Sequence, residues 1–173
     1  MTNIDEVKGL KIRVPELKVW VDFWKKLGAN PTPLPYAEQY SALSTGLIDA
    51  VEADVFSIKG FKWGEQAKHL TLTGHWFLPK AARVNARGLD SLPEDLRKLV
   101  RESAKGVFAE QRKQNRANAA KTLEELRASG ITVYQPSDAP KWREATEPLF
   151  AEFGAKSPAT KTMIDKIRAL AGA

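Results

Sequence analysis

Short apolar or alternating runs, separated by stretches with helical period, make up the first half of the chain and point to α/β units. Residues 10–14 (Leu-Lys-Ile-Arg-Val) read as a strand that stops at Pro15. From 16 to 27, Leu17, Trp20, Val21, Trp24 and Leu27 share one helical face, and Gly28 follows where a C-terminal cap belongs. The run 30–35 (Asn-Pro-Thr-Pro-Leu-Pro) cannot be helix, because its three prolines remove donors and fix φ. It predicts an extended edge segment. A helix over 37–45 ends at Gly46, and a strand over 47–53 is apolar except at Asp49 and Glu52.

Residues 54–68 predict one or two short helices, interrupted near Gly60 and Gly64. The stretch 69–77 is β-like, and 82–89 predicts a second extended piece. Leu92-Pro-Glu-Asp then opens the strongest helix, with proline and acids where the positive end of the dipole favours them. Apolar residues recur at Leu96, Leu99, Val100, Val107, Phe108, Leu123 and Leu126 until Gly130 stops the run. Positions 93–129 span ~55 Å as a straight helix, against a radius of gyration of ~13 Å for a lobe of ~100 residues. Such a helix overhangs one small lobe and reads as a spine shared by two; a break at Gly106 or within 111–118 is the competing reading. Residues 131–134 form a short strand, followed by helices over 138–153 and 158–170. Pro148 is expected to bend or split the first, and Ser157 to cap the second.

Composition changes this picture little. The 173 residues are 43% hydrophobic and 28% charged, as in an ordinary folded chain. The absence of cysteine excludes disulfides, thiolate-bound zinc and thiol nucleophiles. A net charge of +6 raises the question of acidic partners. However, lysines and arginines are dispersed, acids (Glu102, Glu110, Glu124, Glu125) interrupt those of the long helix, and nucleic acid is not an expected partner. Residues 1–8 lack the basic and apolar regions of an export signal, and no apolar run approaches the ~18 residues of a membrane span, so no membrane insertion is expected.

Catalysis finds little support. His69 and His75 lack any metal-ligand motif around them, and no phosphate-binding or nucleophile-elbow motif occurs, so neither enzyme nor cofactor is expected. Strand alternation sends Asp49 and Glu52 to opposite faces, against joint acid–base work. Arg13 stands out in its apolar strand, one residue from the proline that opens a βα loop. Ligands of α/β sheets gather there, and a guanidinium fork can hold a carboxylate by two parallel bonds; an edge arginine with its head in water is the alternative. Tyr36 sits at the next junction as a ring wall or a helix-end cover. Asp54 is either an acceptor for ligand hydroxyls or a helix N-cap. Trp20 and Trp24 are at helical spacing and suit packing.

At these residues the chain resembles the TRAP (tripartite ATP-independent periplasmic) solute-binding family. The signature runs Val7-Lys-Gly-Leu-Lys-Ile-Arg-Val-Pro15, then Gly28-Ala-Asn-Pro-Thr-Pro-Leu-Pro-Tyr-Ala-Glu-Gln-Tyr-Ser-Ala-Leu-Ser-Thr-Gly46 with Ile48-Asp49. Ser91-Leu-Pro-Glu-Asp-Leu96 and Gly130-Ile-Thr-Val continue it, and the likeness extends from about Asp5 to the C-terminus. The resemblance implies a periplasmic, two-lobed α/β protein that closes on a small organic acid and hands it to membrane permease subunits. It implies that Arg13 forms a bidentate salt bridge to the ligand carboxylate and that Tyr36 lines the cleft. The ligand-binding set expected on this basis is Arg13, Tyr36, Asp54 and His75.

Two departures modify the expectation. Many members carry Asp-Gly-Gln-Glu-Asn where this chain has Asp49-Ala-Val-Glu-Ala53, so a ligand-touching asparagine is replaced by a methyl group, with Asp54 the nearest polar substitute. The family's first lobe and its signal peptide are expected before residue 1. The chain then divides into a second-lobe core (1–78), a strand and long-helix segment shared with the first lobe (79–118), and a return strand with C-terminal helices (119–173). Half a cleft would leave Arg13 in water, so weak binding or none is expected of the chain alone, and an orphan lobe that self-associates or pairs with a first lobe is the alternative function.

Overall fold

The computed structural model describes residues 1–76 and 81–171. Strand β1 (Lys11–Val14) lies at the centre of the first unit. On one side it pairs in parallel with β2 (Asn30–Pro33), with Arg13 opposite Thr32. The backbone N–H groups of Asn30 and Leu34 donate to Leu10 and Val14. Pro31 and Pro33 fall between these donors, where an N–H would face away from β1, which makes β2 an edge strand. The extended segment predicted from the prolines is therefore present.

On the other side of β1, the strand predicted over 47–53 shrinks to one parallel bridge, Ile12 to Ala50. The carboxylate of Asp49 explains part of this. It accepts the Lys11 N–H at 3.0 Å, so a side chain replaces the next backbone acceptor of a ladder.

Helix α1 (Lys18–Lys26) starts two residues later than its apolar period suggests. Leu17 is extended as the N-cap and stays 53% exposed, and Phe23 takes its place in the core beside Trp24 and Leu27. Val7, Ile12, Val14, Ala29, Trp142 and Leu149 complete that core, so helix α6 (Ala139–Gly154) returns to cover α1. Pro148 lies inside α6 without splitting it. Ser157 Oγ accepts the Thr160 N–H at 3.1 Å, capping α7 (Pro158–Ala171) as expected.

A 3-10 turn at Tyr36–Glu38 leads into α2 (Gln39–Ser44), which Gly46 ends in the left-handed region at φ +70°. After α3 (Val55–Gly60) and a second turn at Trp63–Glu65, β3 (His69–Thr71) pairs in parallel with β4 (Thr132–Tyr134). Strand β3 is shorter than the β-like stretch because β4 offers only three residues; Phe77 lies outside the described residues. The extended piece predicted over 82–89 is instead helix α4 (Ala86–Asp90), whose N-cap Asn85 accepts the Gly88 N–H at 3.2 Å.

Helix α5 is unbroken over its 35 residues, Glu94–Ala128. Its buried residues, Thr122 and Leu126, lie in its last two turns, where it meets α3. The preceding turns stand out from the lobe, and Leu96, Leu99, Val100 and Val107 are 43–65% exposed. The overhang deduced from helix length is therefore real.

Candidate ligand-binding site

Arg13 is the third residue of β1 and only 5% exposed. Its Nε and Nη2 donate to one carbonyl, that of Leu34, at 2.9 and 2.7 Å. Its Cζ lies 5.4 Å from the centroid of the Tyr36 ring, a cation–π contact. One edge and one face of the guanidinium are thus fixed by the lobe. No hydrogen bond engages Nη1 among the described residues, so the Nη1/Nη2 edge is left for a carboxylate. Burial lowers the arginine's pKa from its ordinary value, and the nearby Glu52 carboxylate offsets this in part. The expectation that half a cleft leaves Arg13 in water is not met: Leu34 and Tyr36 cover it from within its own lobe.

Tyr36 is held in turn by an aromatic group. Its ring meets Phe61 edge-on at 5.0 Å and Trp63 at 5.4 Å, while Phe61 and Trp63 stack at 5.5 Å. Trp63 is 2% exposed and anchors the group, whereas Tyr36 keeps 40% of its surface open. Gln39, fully buried, donates from Nε2 to the Tyr36 carbonyl at 3.2 Å, and its Oε1 has no partner among the described residues. An orphaned buried acceptor costs about 1–3 kcal/mol.

Glu52 has a role that sequence reading missed. Its Oε1 accepts the Trp20 indole N–H at 2.9 Å, and its Oε2 lies 3.3 Å from His75 Nε2. The latter pair is within ion-pair range but misaligned for a hydrogen bond, so His75 Nε2 has no hydrogen-bonding partner among the described residues. Both side chains are about 15% exposed, at 14% and 15%. His75 packs among Phe23, Trp24 and Trp76 at 5.2–5.8 Å, and Trp20 stacks on Trp76 at 4.8 Å. Considered only as a partner for Asp49, Glu52 gave no signal; an acid inside an apolar run was the clue to a buried role.

The four predicted residues therefore divide. Arg13 and Tyr36 come together; His75 pairs with Glu52, which acts on Arg13 through its charge and not through a contact. Asp54 caps α3, accepting the Ser57 N–H at 2.9 Å and the Ser57 hydroxyl at 3.0 Å. His69 is elsewhere, its Nδ1 3.1 Å from the Tyr134 hydroxyl. Concavities of about 220 Å³ between α3 and the end of α5, and about 620 Å³ along α6, do not include Arg13.

The family described as bacterial extracellular solute-binding protein, family 7 (DctP) matches residues 1–157. Among curated relatives, the C4-dicarboxylate-binding periplasmic protein DctP of Rhodobacter capsulatus is 31% identical, covering 88% of this chain and 46% of its own length. The sialic acid-binding periplasmic protein SiaP of Vibrio cholerae is 29% identical over 88% of this chain and 47% of its own. A TRAP periplasmic solute-binding protein of Xanthobacter autotrophicus, solved with β-D-galacturonate, superposes with a TM-score of 0.90 at 32% identity, covering 98% of this chain and 56% of that one. One from Chromohalobacter salexigens with D-glucuronate gives 0.92 at 27%, with the same coverage. This chain belongs to the TRAP solute-binding family and spans about half the length of the curated relatives it matches.

Proposed function

We propose that this chain supplies one wall of a TRAP solute-binding site, in which Arg13 takes the carboxylate of a small organic acid for delivery to membrane permease subunits. The observation that carries this is the guanidinium itself: buried, fixed on one edge by Leu34 and on one face by Tyr36, with its Nη1/Nη2 edge unengaged. A carboxylate meeting that edge forms two parallel charge-assisted bonds. Relatives solved with galacturonate and glucuronate make a sugar acid the ligand class to test first.

The opposite wall is the task of a facing lobe, and segment 79–118 is where we place its contact with this one. The exposed stripe of Leu96, Leu99, Val100 and Val107 supports this, since apolar side chains in register along an overhanging helix suit coverage by another surface. The same stripe favours a second reading, a lobe whose own activity is association. The test is a titration of the chain with D-galacturonate, followed by ¹⁵N-detected shifts of the arginine side chains. Saturable movement of the Arg13 signal with a Kd of about 1 mM, equivalent to about −4 kcal/mol, is expected. Arg13→Ala should weaken binding about 10- to 100-fold. Undiminished affinity in that variant would sink the clamp.

A further inference from the structure

Two of the most buried polar side chains among the described residues, Arg13 at 5% and Gln39 at 0% exposure, grip the same three-residue turn. Arg13 donates to the carbonyl of Leu34 and Gln39 to that of Tyr36, with Pro35 between them. Among the described residues, Gln39 stands with Trp24, Trp63, Ile12, Ile48, Val7 and Val14 as the largest fully buried side chains, and it alone of these carries an amide. A leucine there would fill similar space without an orphaned oxygen. Among the described residues that oxygen has no partner, and burying an acceptor in this way costs about 1–3 kcal/mol. Departures from a cheaper core side chain concentrate where a site demands them.

We infer that Gln39 is a positioning residue for the carboxylate clamp: its amide N–H fixes the Tyr36 carbonyl, and through the Leu34–Pro35–Tyr36 turn it holds the acceptor and the ring that aim Arg13. This rests on the assignment of Arg13 as the clamp. Proline at 35 removes one backbone donor and stiffens φ, so the turn has little slack to absorb loss of either grip. The backbone N–H of Leu34 is already committed to Val14 at 3.1 Å, which fixes the start of the turn to β1. The Tyr36 end has Gln39 as its polar tie and the Phe61 and Trp63 rings as its packing.

The experiment is Gln39→Leu in the full chain, with Gln39→Met as a second variant of closer shape. Two quantities are read without any ligand: the thermal midpoint, and hydrogen exchange of the Arg13 Nε–H, whose bond to Leu34 protects it. The expected result is a midpoint equal to or above that of the unaltered chain, with Arg13 Nε–H exchange faster by up to about tenfold, the equivalent of one lost hydrogen bond. Unchanged Arg13 protection in whichever variant folds would overturn the inference, as would a lowered midpoint with protection retained. Because neither readout needs a sugar acid, failure of the chain to bind galacturonate bears on the proposed function alone.

Discussion

Removing the Glu52 carboxylate should loosen the packing behind Arg13, and two substitutions separate its contributions. Glu52→Ala deletes the acceptor of the Trp20 indole N–H, a 2.9 Å bond to a carboxylate that is 14% exposed. Hydrogen bonds to charged groups contribute about 1.5–3 kcal/mol, and this one is too sheltered to be discounted as a surface contact. The alanine also removes the carboxylate that partly offsets the burial-depressed pKa of Arg13. A total loss of about 2–3 kcal/mol is expected. Glu52→Gln keeps an oxygen for Trp20 but no charge, so about 1 kcal/mol should be lost. Urea unfolding followed by tryptophan fluorescence measures both, with an unchanged m-value as the sign that only stability has moved. A cycle with Trp20→Phe isolates the bond. If the two single changes add to within about 0.5 kcal/mol, Trp20 and Glu52 are uncoupled and the reasoning fails.

Two further outcomes test the frame around the site. A Cβ at Gly64 would lie 2.5 Å from Ile131 Cδ1, so Gly64→Ala should cost about 1–3 kcal/mol, and adding Ile131→Val, which deletes that methyl, should recover part of it; strict additivity on denaturation would rule out the clash. Hydrogen bonding from Lys59 holds the Glu125 carboxyl below the ordinary glutamate range. With its folded pKa depressed, the pair's contribution is present above the unfolded glutamate pKa and is lost as pH falls through the folded one. Carboxyl ¹³C titration should show this low midpoint in the unaltered chain and an ordinary one in Lys59→Ala; because the pair is exposed, thermal stability should change little.

How far the sequence could be read depended on whether local or distant atoms decide each element. Pro31 and Pro33 act on their own backbone, so the edge character of β2 is legible from them alone. The long helix likewise follows from its period, its acidic start and Gly130. The strand expected over 47–53 fails for a non-local reason, because Asp49 supplies a side-chain acceptor to Lys11 across the sheet. Helix α4 was hidden by a different effect. The helix is only five residues long, and the Asn85 cap that starts it is a signal of one residue. In the site, Arg13 could be singled out as an arginine one residue from the proline that ends its strand. The buried polar residues behind it were only faintly legible, Glu52 as an acid inside an apolar run. Gln39, Ala42 and Tyr36 do share helical spacing, and that periodicity was the available hint that residue 39 faces inward.

On the proposed function, the burial of Arg13 also bears on how binding energy would divide between two walls. An arginine exposed until closure would lose its hydration as the ligand arrived, and an exposed ion pair yields only about 0–1 kcal/mol. Here the dehydration is largely complete in the isolated lobe, with the Leu34 carbonyl replacing water on one edge and Tyr36 covering one face. The fixed fork also loses little side-chain freedom when a carboxylate docks. Ligand capture by this wall should therefore be weak but specific for the carboxylate. On the proposed function, closure by a facing lobe would add contacts and exclude water from the Nη1/Nη2 edge, where lower local dielectric would strengthen the pair. A lobe docked along Leu96, Leu99, Val100 and Val107 would then raise affinity without moving Arg13. Substituting Val100 and Val107 with aspartate should abolish that gain while leaving the millimolar affinity of the isolated wall intact.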